Sequence, residues 1–237
     1  MVTLGADWQM SSWEADDIAE ESTYHRKKRP LDVTLACLAL FLLLPVFLLV
    51  AIAVRLDSRG PVLYAQERVG LNRRRGKGPL PIRGNRRKQH GFGQPFTIFK
   101  FRSMVSDAER LTGPVWAKER DPRATRIGAV LRRTHLDELP QLLNVLRGEM
   151  SMVGPRPERP QLFGNIVDQI PEYALRCRTL PGITGIAQIK NGYDDSLQSA
   201  ARKVQYDLYY IRKGTAMMDI KIMMATALVL AKGKQQE

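Results

Sequence analysis

The chain has 237 residues, 44% of them hydrophobic, which fits one domain with appendages and excludes wholesale disorder. Two cysteines exclude a disulfide framework and suit a reducing compartment. Lys and Arg number 37 against 24 Asp and Glu, and the net charge of +13 points to an anionic partner: nucleic acid, an anionic membrane face or a phosphorylated substrate.

Residues 1–22 carry six acids and no base, and no apolar period runs through them. They read as a disordered acidic tail, with its boundary set at residue 25. The segment Val33–Val54 is next, 22 residues without a charge. As one helix it would measure about 33 Å, enough for a bilayer core of about 30 Å. Pro45 divides it into stretches of about 18 and 15 Å, each reaching only to mid-bilayer. Both flanks are basic: Arg26, Lys27, Lys28 and Arg29 before it, and Arg55, Arg59 and Arg68 after it. The positive-inside tendency then asks for both ends on the cytoplasmic side. A re-entrant segment over residues 26–59, broken at Pro45, satisfies both features. An ordinary kinked span is the alternative.

Residues 60–231 read as one domain. Val62–Arg68 and Phe96–Phe101 are strand candidates. Between them lies a basic insert over 73–93. It holds eight bases from Arg73 to Lys88 and no acid, and its glycines and prolines exclude a regular helix. Three readings stay open for it: adhesion to anionic lipid head groups at about 1 kcal/mol per base, nonspecific nucleic-acid binding, or a solvated loop. Val105–Leu111, Ile127–Arg133, Glu138–Leu146, Ser196–Ile211 and Met217–Leu230 read as helices. Asp137 is placed to cap the third, and Gly148 to end it. Gly154–Pro160 and Pro181–Gln188 read as loops. The final helix is apolar enough either to lie on a membrane surface or to pack as a core helix. Residues 232–237 form a short tail.

No Walker loop, dinucleotide fingerprint or Cys/His metal spacing occurs. Candidate chemistry rests on Asp137 and Glu138, with Arg132 and Arg133 just upstream. A helix start and nearby guanidinium groups favour an ionised carboxylate, which can attack phosphorus or hold Mg²⁺. The plainer alternative is an N-cap and a first-turn acid. Lys100, Arg102, Arg126, Arg156 and Arg159 are dispersed cations suited to diphosphate oxygens. Arg156 stands between Pro155 and Pro157, which stiffen the backbone on both sides.

Six ordered blocks carry a resemblance: KRPLD (Lys28–Asp32), the proline-broken apolar run, GPVLYAQERVG (Gly60–Gly70), FTIFKFRSM (Phe96–Met104), the segment Asp121–Glu158 and LPGITGIAQI (Leu180–Ile189). Together they resemble the bacterial sugar transferase family, the monotopic phosphoglycosyl transferases that start glycan assembly on undecaprenyl phosphate. The resemblance implies an α+β, mainly α-helical fold, a re-entrant helix-break-helix and a catalytic domain on the cytoplasmic face of the bacterial inner membrane. It implies transfer of a sugar phosphate from a UDP-sugar to a polyprenol phosphate, with release of UMP and with Mg²⁺ as cofactor. By that resemblance Asp137 is the nucleophile that carries the phosphosugar, and Glu138 assists it, both serving as metal ligands. Lys100, Arg102, Arg126, Arg133, Pro155, Arg156 and Pro157 are substrate-binding. Expected partners are the donor, the lipid acceptor and membrane lipids, without nucleic acid; a homodimer is left open. A non-catalytic membrane-bound scaffold for glycan assembly is the competing reading. Three departures stand out: the basic insert, His135 in place of a small hydroxyl residue and expected to face solvent, and a final helix without tryptophan. The sugar and the glycan pathway are not specified.

Overall fold

The computed structural model describes residues 23–72, 92–105, 108, 121–190 and 197–231. The acidic tail through residue 22, the basic insert over 73–91, most of the expected helix Val105–Leu111 and the tail 232–237 lie outside the described residues.

The described chain opens with α1 (Thr23–Lys27), so the boundary expected at residue 25 moves to before Thr23. The reason is His25, which is buried with its Nε2 3.0 Å from the Tyr210 carbonyl. Next, α2 (Arg29–Asp57) takes up the whole apolar run as a single helix. Pro45 lies inside it and does not end it. A proline deletes one backbone bond, here to Phe41, while the neighbouring turns stay bonded. The feature Pro45 can supply is therefore a bend.

Pro45 is exposed on the same stripe as Leu38, Phe41, Leu42, Leu49, Ile52 and Leu56. The opposite stripe of α2 faces the rest of the protein. Ala36 packs with Ile98, Leu142, Val145 and Met150. Val50 and Val54 pack with Phe101 and Leu131. Both ends of α2 are fastened to the same folded body. At the N-terminal end, Lys28 Nζ donates to Asp219 Oδ2 (2.7 Å), the Tyr210 hydroxyl (2.7 Å) and the Val153 carbonyl (2.8 Å). Asp32 Oδ1 accepts from the Ser151 hydroxyl and the Met152 N–H. At the other end, Arg102 Nη2 donates to the Ser58 carbonyl at 2.6 Å, and Asp57 accepts from the Ile127 N–H at 3.1 Å.

β1 (Leu63–Val69) and β2 (Pro95–Phe101) form an antiparallel pair in which Tyr64 stands opposite Lys100 and Arg68 opposite Phe96. α3 (Arg126–Thr134) starts at Thr125, whose hydroxyl accepts from the Gly128 N–H at 3.0 Å. A 3-10 turn (Leu136–Glu138) leads into α4 (Gln141–Arg147), which closes at Gly148 in the left-handed region (φ 78°). β3 (Ser151–Val153) pairs in parallel with β4 (Gly182–Thr184). α5 (Pro160–Gln169) and a 3-10 helix (Pro171–Arg178) bridge them, and α6 (Ile186–Lys190), α7 (Leu197–Lys213) and α8 (Ala216–Ala231) follow.

The fold is thus mostly helical, as expected, with two small sheets among the described residues. The loop expected at 154–160 is loop up to Pro160, where α5 begins, whereas 181–188 holds β4 and the start of α6. Gly182 explains how the second strand fits: a Cβ there would meet the Gly154 nitrogen at 2.0 Å, so the two segments can touch only as bare backbone. α8 buries Asp219 and Ile222 and exposes Met217, Ile220, Met224 and Leu228. One of its faces is core and the other outward, so it matches neither expectation alone.

Candidate active site

The carboxylate pair sits at a sharp change of direction. α3 ends at Thr134, and His135 takes the left-handed conformation (φ 56°), the sole positive φ of a non-glycine among the described residues. Asp137 and Glu138 follow within the 3-10 turn. Asp137 is therefore not the expected N-cap of a helix; Pro140 holds that place, without a side-chain cap. The 3-10 turn runs straight on through Leu142 and Leu143 N–H bonds to Leu139 and Pro140 carbonyls, and Pro140 itself has no N–H to satisfy.

Asp137 and Glu138 are 7% and 8% exposed. Glu138 takes the hydrogen bonds. Its Oε1 accepts from Lys100 Nζ at 2.7 Å and from Arg156 Nη2 at 2.5 Å, and its Oε2 from Arg156 Nη1 at 3.2 Å. Burial would raise its pKa, but Arg156 and Lys100 outweigh burial and hold it well below the usual range. Asp137 feels the same cations only as nearby charges. Burial dominates there and pushes its pKa up to about 6, against the pull of Lys100. Two adjacent carboxylates are thus driven apart, one a permanent anion fixed by cations and the other a more basic group that is ionised at neutral pH.

Arg156 is delivered by a turn whose carbonyls are all held. Pro155 O accepts from the Gly182 N–H (2.9 Å) and Arg156 O from Arg176 Nη2 (2.9 Å). Pro157 O accepts from Arg68 Nη1 (3.1 Å) and Glu158 O from the Val69 N–H (2.9 Å). Beneath the turn, Arg176 Nε meets Asp207 Oδ2 at 2.7 Å with both side chains almost fully buried, and Lys203 Nζ meets Glu158 Oε1 at 2.8 Å. Burial raises the Glu158 pKa, but Lys203 and Arg176 outweigh it and bring it to about 2. A shallow cavity opens beside the turn, lined by Gly70, Pro155, Arg156, Pro157, Arg176 and Thr179.

The structure brings together Asp137, Glu138, Lys100 and Arg156, with Pro155 and Pro157 holding the turn. It does not bring Arg102 to the pair. β2 ends at Phe101, and beyond it the Arg102 side chain is buried against the end of α2 on Val54 and Ser58. Arg126 and Arg133 are exposed on α3 and make no contact with the carboxylates among the described residues. His135 does not face solvent as expected. It is half-buried, its Nδ1 is shut off from water, and burial lowers its pKa.

Sequence reasoning missed Arg68, Glu158, Arg176, Lys203 and Asp207. For the last two a signal existed. Lys203 and Asp207 fall on the same helical stripe as Ala200, Val204, Leu208 and Ile211, where an i, i+4 ion pair is out of place unless it faces buried partners.

The fit of a magnesium ion can be tested on these atoms. Among the described residues no group of three or more His, Cys, Asp or Glu side chains could hold a metal. Mg²⁺ needs only one or two carboxylates when substrate phosphates complete its shell. Glu138 already receives three N–H donors, so it does not suit the metal role expected of it. Asp137, together with a donor diphosphate, does.

Comparison with known proteins adds the following. The profile described as "Bacterial sugar transferase" matches residues 23–233. The chain is 43% identical over 205 residues to "Undecaprenyl-phosphate glucose phosphotransferase" of Komagataeibacter xylinus, covering 84% of this chain and 35% of that one. It is 36% identical over 206 residues to "UDP-N-acetylgalactosamine-undecaprenyl-phosphate N-acetylgalactosaminephosphotransferase" of Aeromonas hydrophila, covering 87% and 44%. It is 39% identical over 229 residues to "UDP-glucose:undecaprenyl-phosphate glucose-1-phosphate transferase" of Caulobacter vibrioides, covering 95% and 77%. The chain spans less than half the length of the first two relatives.

Proposed function

Because the chain belongs to the bacterial sugar transferase family, we propose that it transfers a sugar phosphate from a UDP-sugar to undecaprenyl phosphate and releases UMP. The observation that carries this reading is the unequal carboxylate pair: a basic, ionised Asp137 beside a Glu138 whose charge is already balanced. Asp137 attacks the β-phosphorus. The bond to the bridging oxygen breaks, and its electron pair leaves with UMP. An oxygen of the lipid phosphate then attacks the aspartyl phosphosugar and returns the carboxylate. Glu138 keeps Lys100 and Arg156 aligned, and these cations offset the repulsion between two anionic substrates. A Mg²⁺ held by Asp137 and the donor diphosphate would neutralise further charge on the phosphates.

The test is UMP release from a panel of UDP-sugars by the protein in bilayers containing undecaprenyl phosphate and Mg²⁺. The relatives' names include both glucose and N-acetylgalactosamine donors, so the panel starts with those two. Release is expected with at least one donor, and silence across the panel would refute the reading. A pH profile probes the nucleophile. Asp137 is active as the anion, and its pKa is raised to about 6. UMP formation from donor alone should therefore be full at pH 8 and fall about tenfold per unit below pH 6. A flat profile from pH 5 to 8 would contradict the assignment.

The same reading puts α2 into the cytoplasmic leaflet as a re-entrant anchor with the catalytic body on the cytoplasmic face of the inner membrane. Its support is that Lys28 and Asp32 at one end, and Asp57 and Ser58 at the other, are bonded to the same body. A helix spanning the bilayer would part those ends. Pro45 on the outward stripe suits an apex, since a proline bends a helix away from its own side. Single cysteines placed at Arg26 and Arg59 should label from one side only of sealed vesicles; labelling from opposite sides would exclude re-entry.

A further inference from the structure

Beside the carboxylates in the chain, the His135 ring and the Gln141 amide each hold a buried nitrogen without a hydrogen-bond partner among the described residues, and of the two Gln141 is the one almost completely enclosed. Gln141 opens α4 and is 1% exposed. Its Nε2 is closed to solvent and has no hydrogen-bond partner among the described residues. Native proteins rarely keep such a group without a use. α4 itself shows that burial is no obstacle to pairing. Asn144, one turn on and fully buried, accepts from the Phe99 N–H at 3.0 Å and donates to the Thr97 carbonyl and Glu149 Oε2, each at 2.7 Å.

Position relates the unused donor to the chemistry. Gln141 follows Glu138 by three residues and Asp137 by four. The chain between is turn throughout: the N–H groups of Glu138, Leu139, Leu142 and Leu143 bond carbonyls three residues back. In such a turn a residue stands directly above the one three places before it, so Gln141 lies over Glu138, the chain neighbour of Asp137. Lys100 and Arg156 are committed to Glu138, so a neutral donor fills a different need.

We propose that Gln141 is a further catalytic residue whose Nε2 donates to a non-bridging oxygen of the phosphoryl group as that group moves onto Asp137. The inference rests on the phosphotransfer reading above. The bond between Asp137 and the β-phosphorus forms while the bond to UMP breaks, and the amide keeps its protons throughout. Its contribution is a fixed dipole aimed where charge spreads over the equatorial oxygens.

The test compares Gln141→Leu and Gln141→Glu with the wild-type protein in bilayers, reading the pre-steady-state burst of UMP from a UDP-sugar. Leu keeps the volume and removes the polar atoms. It should slow the burst about 10- to 100-fold, change the donor KM little, and leave the melting temperature equal or higher, because a buried unpaired group is gone. Glu places a carboxylate against the phosphate and should be slower still. A Leu variant with the wild-type burst rate overturns the proposal. So does a Leu variant that melts earlier and loses rate only in step with its folded fraction. Absence of UMP release from the wild-type protein would instead sink the phosphotransfer reading, and this inference with it.

Discussion

Asp137→Asn is expected to reduce UMP release by roughly 10³-fold or more, because an amide cannot form the acyl phosphate. Incubation with donor alone should add the mass of a phosphosugar to the wild-type chain and nothing to the variant. The same change should not weaken the fold. The Asp137 pKa is raised from 3.8 to about 6 in the folded protein, so folding favours the protonated form. The ionised carboxylate therefore costs on the order of 2–3 kcal/mol at pH 8, a cost that sets in as pH rises from about 4 through 6. Asn avoids it. The variant should melt at an equal or higher temperature at pH 8 and lose that advantage near pH 4. Loss of activity together with a lower melting temperature at pH 8 would mean that Asp137 serves the fold rather than the reaction.

Asp207→Ala is expected to cost about 3–5 kcal/mol of stability, since it strands the Arg176 guanidinium in a dry site. For a chain of this size that corresponds to a fall of roughly 6–20 °C in Tm. The double variant Arg176→Met, Asp207→Leu replaces both charges by apolar groups and should recover most of the loss. It should not recover function. Arg176 Nη2 also donates to the Arg156 carbonyl, so the double variant folds with a turn that has lost one of its four carbonyl partners. A raised donor KM at near-normal Tm would separate the two roles of Arg176. A cost below 1 kcal/mol for Asp207→Ala would show that the pair is not buried as described.

The legible parts of this protein are those with a strong local period or a rigid residue. Both strands of the hairpin, α3, α7 and α8 fall within one or two residues of their sequence-based bounds, and α2 overruns the charge-free run Val33–Val54 by four residues at its start and three at its end, because each carries an apolar face of its own. Lys100 and Arg156 meet Glu138 beside Asp137, and the rigid proline-flanked turn that delivers Arg156 is visible in the sequence. The illegible parts are those decided by long-range contact. β3 and β4 are three residues each, and their pairing depends on Gly154 and Gly182 meeting across the fold. α5 begins at Pro160, the end of a stretch that reads as loop, and the 3-10 helix after it begins at Pro171, where the sequence shows no sustained period. Arg102 shares the parity of Lys100, and only the end of β2 at Phe101 sends it elsewhere. Arg68 and Arg176 look like ordinary surface cations until the turn they support is in place.

The latch at Lys28 has a consequence for how the chain is made. Its partners Tyr210 and Asp219 lie 182 and 191 residues further along. At about 5–20 residues per second, a ribosome finishes Asp219 roughly 10–40 s after Lys28. Throughout that interval the greasy helix has neither its closing contact nor most of the wall it will lean on. It must be sheltered by lipid or by a chaperone while those residues are translated, and α8, made long after α2, is the helix that locks it in place.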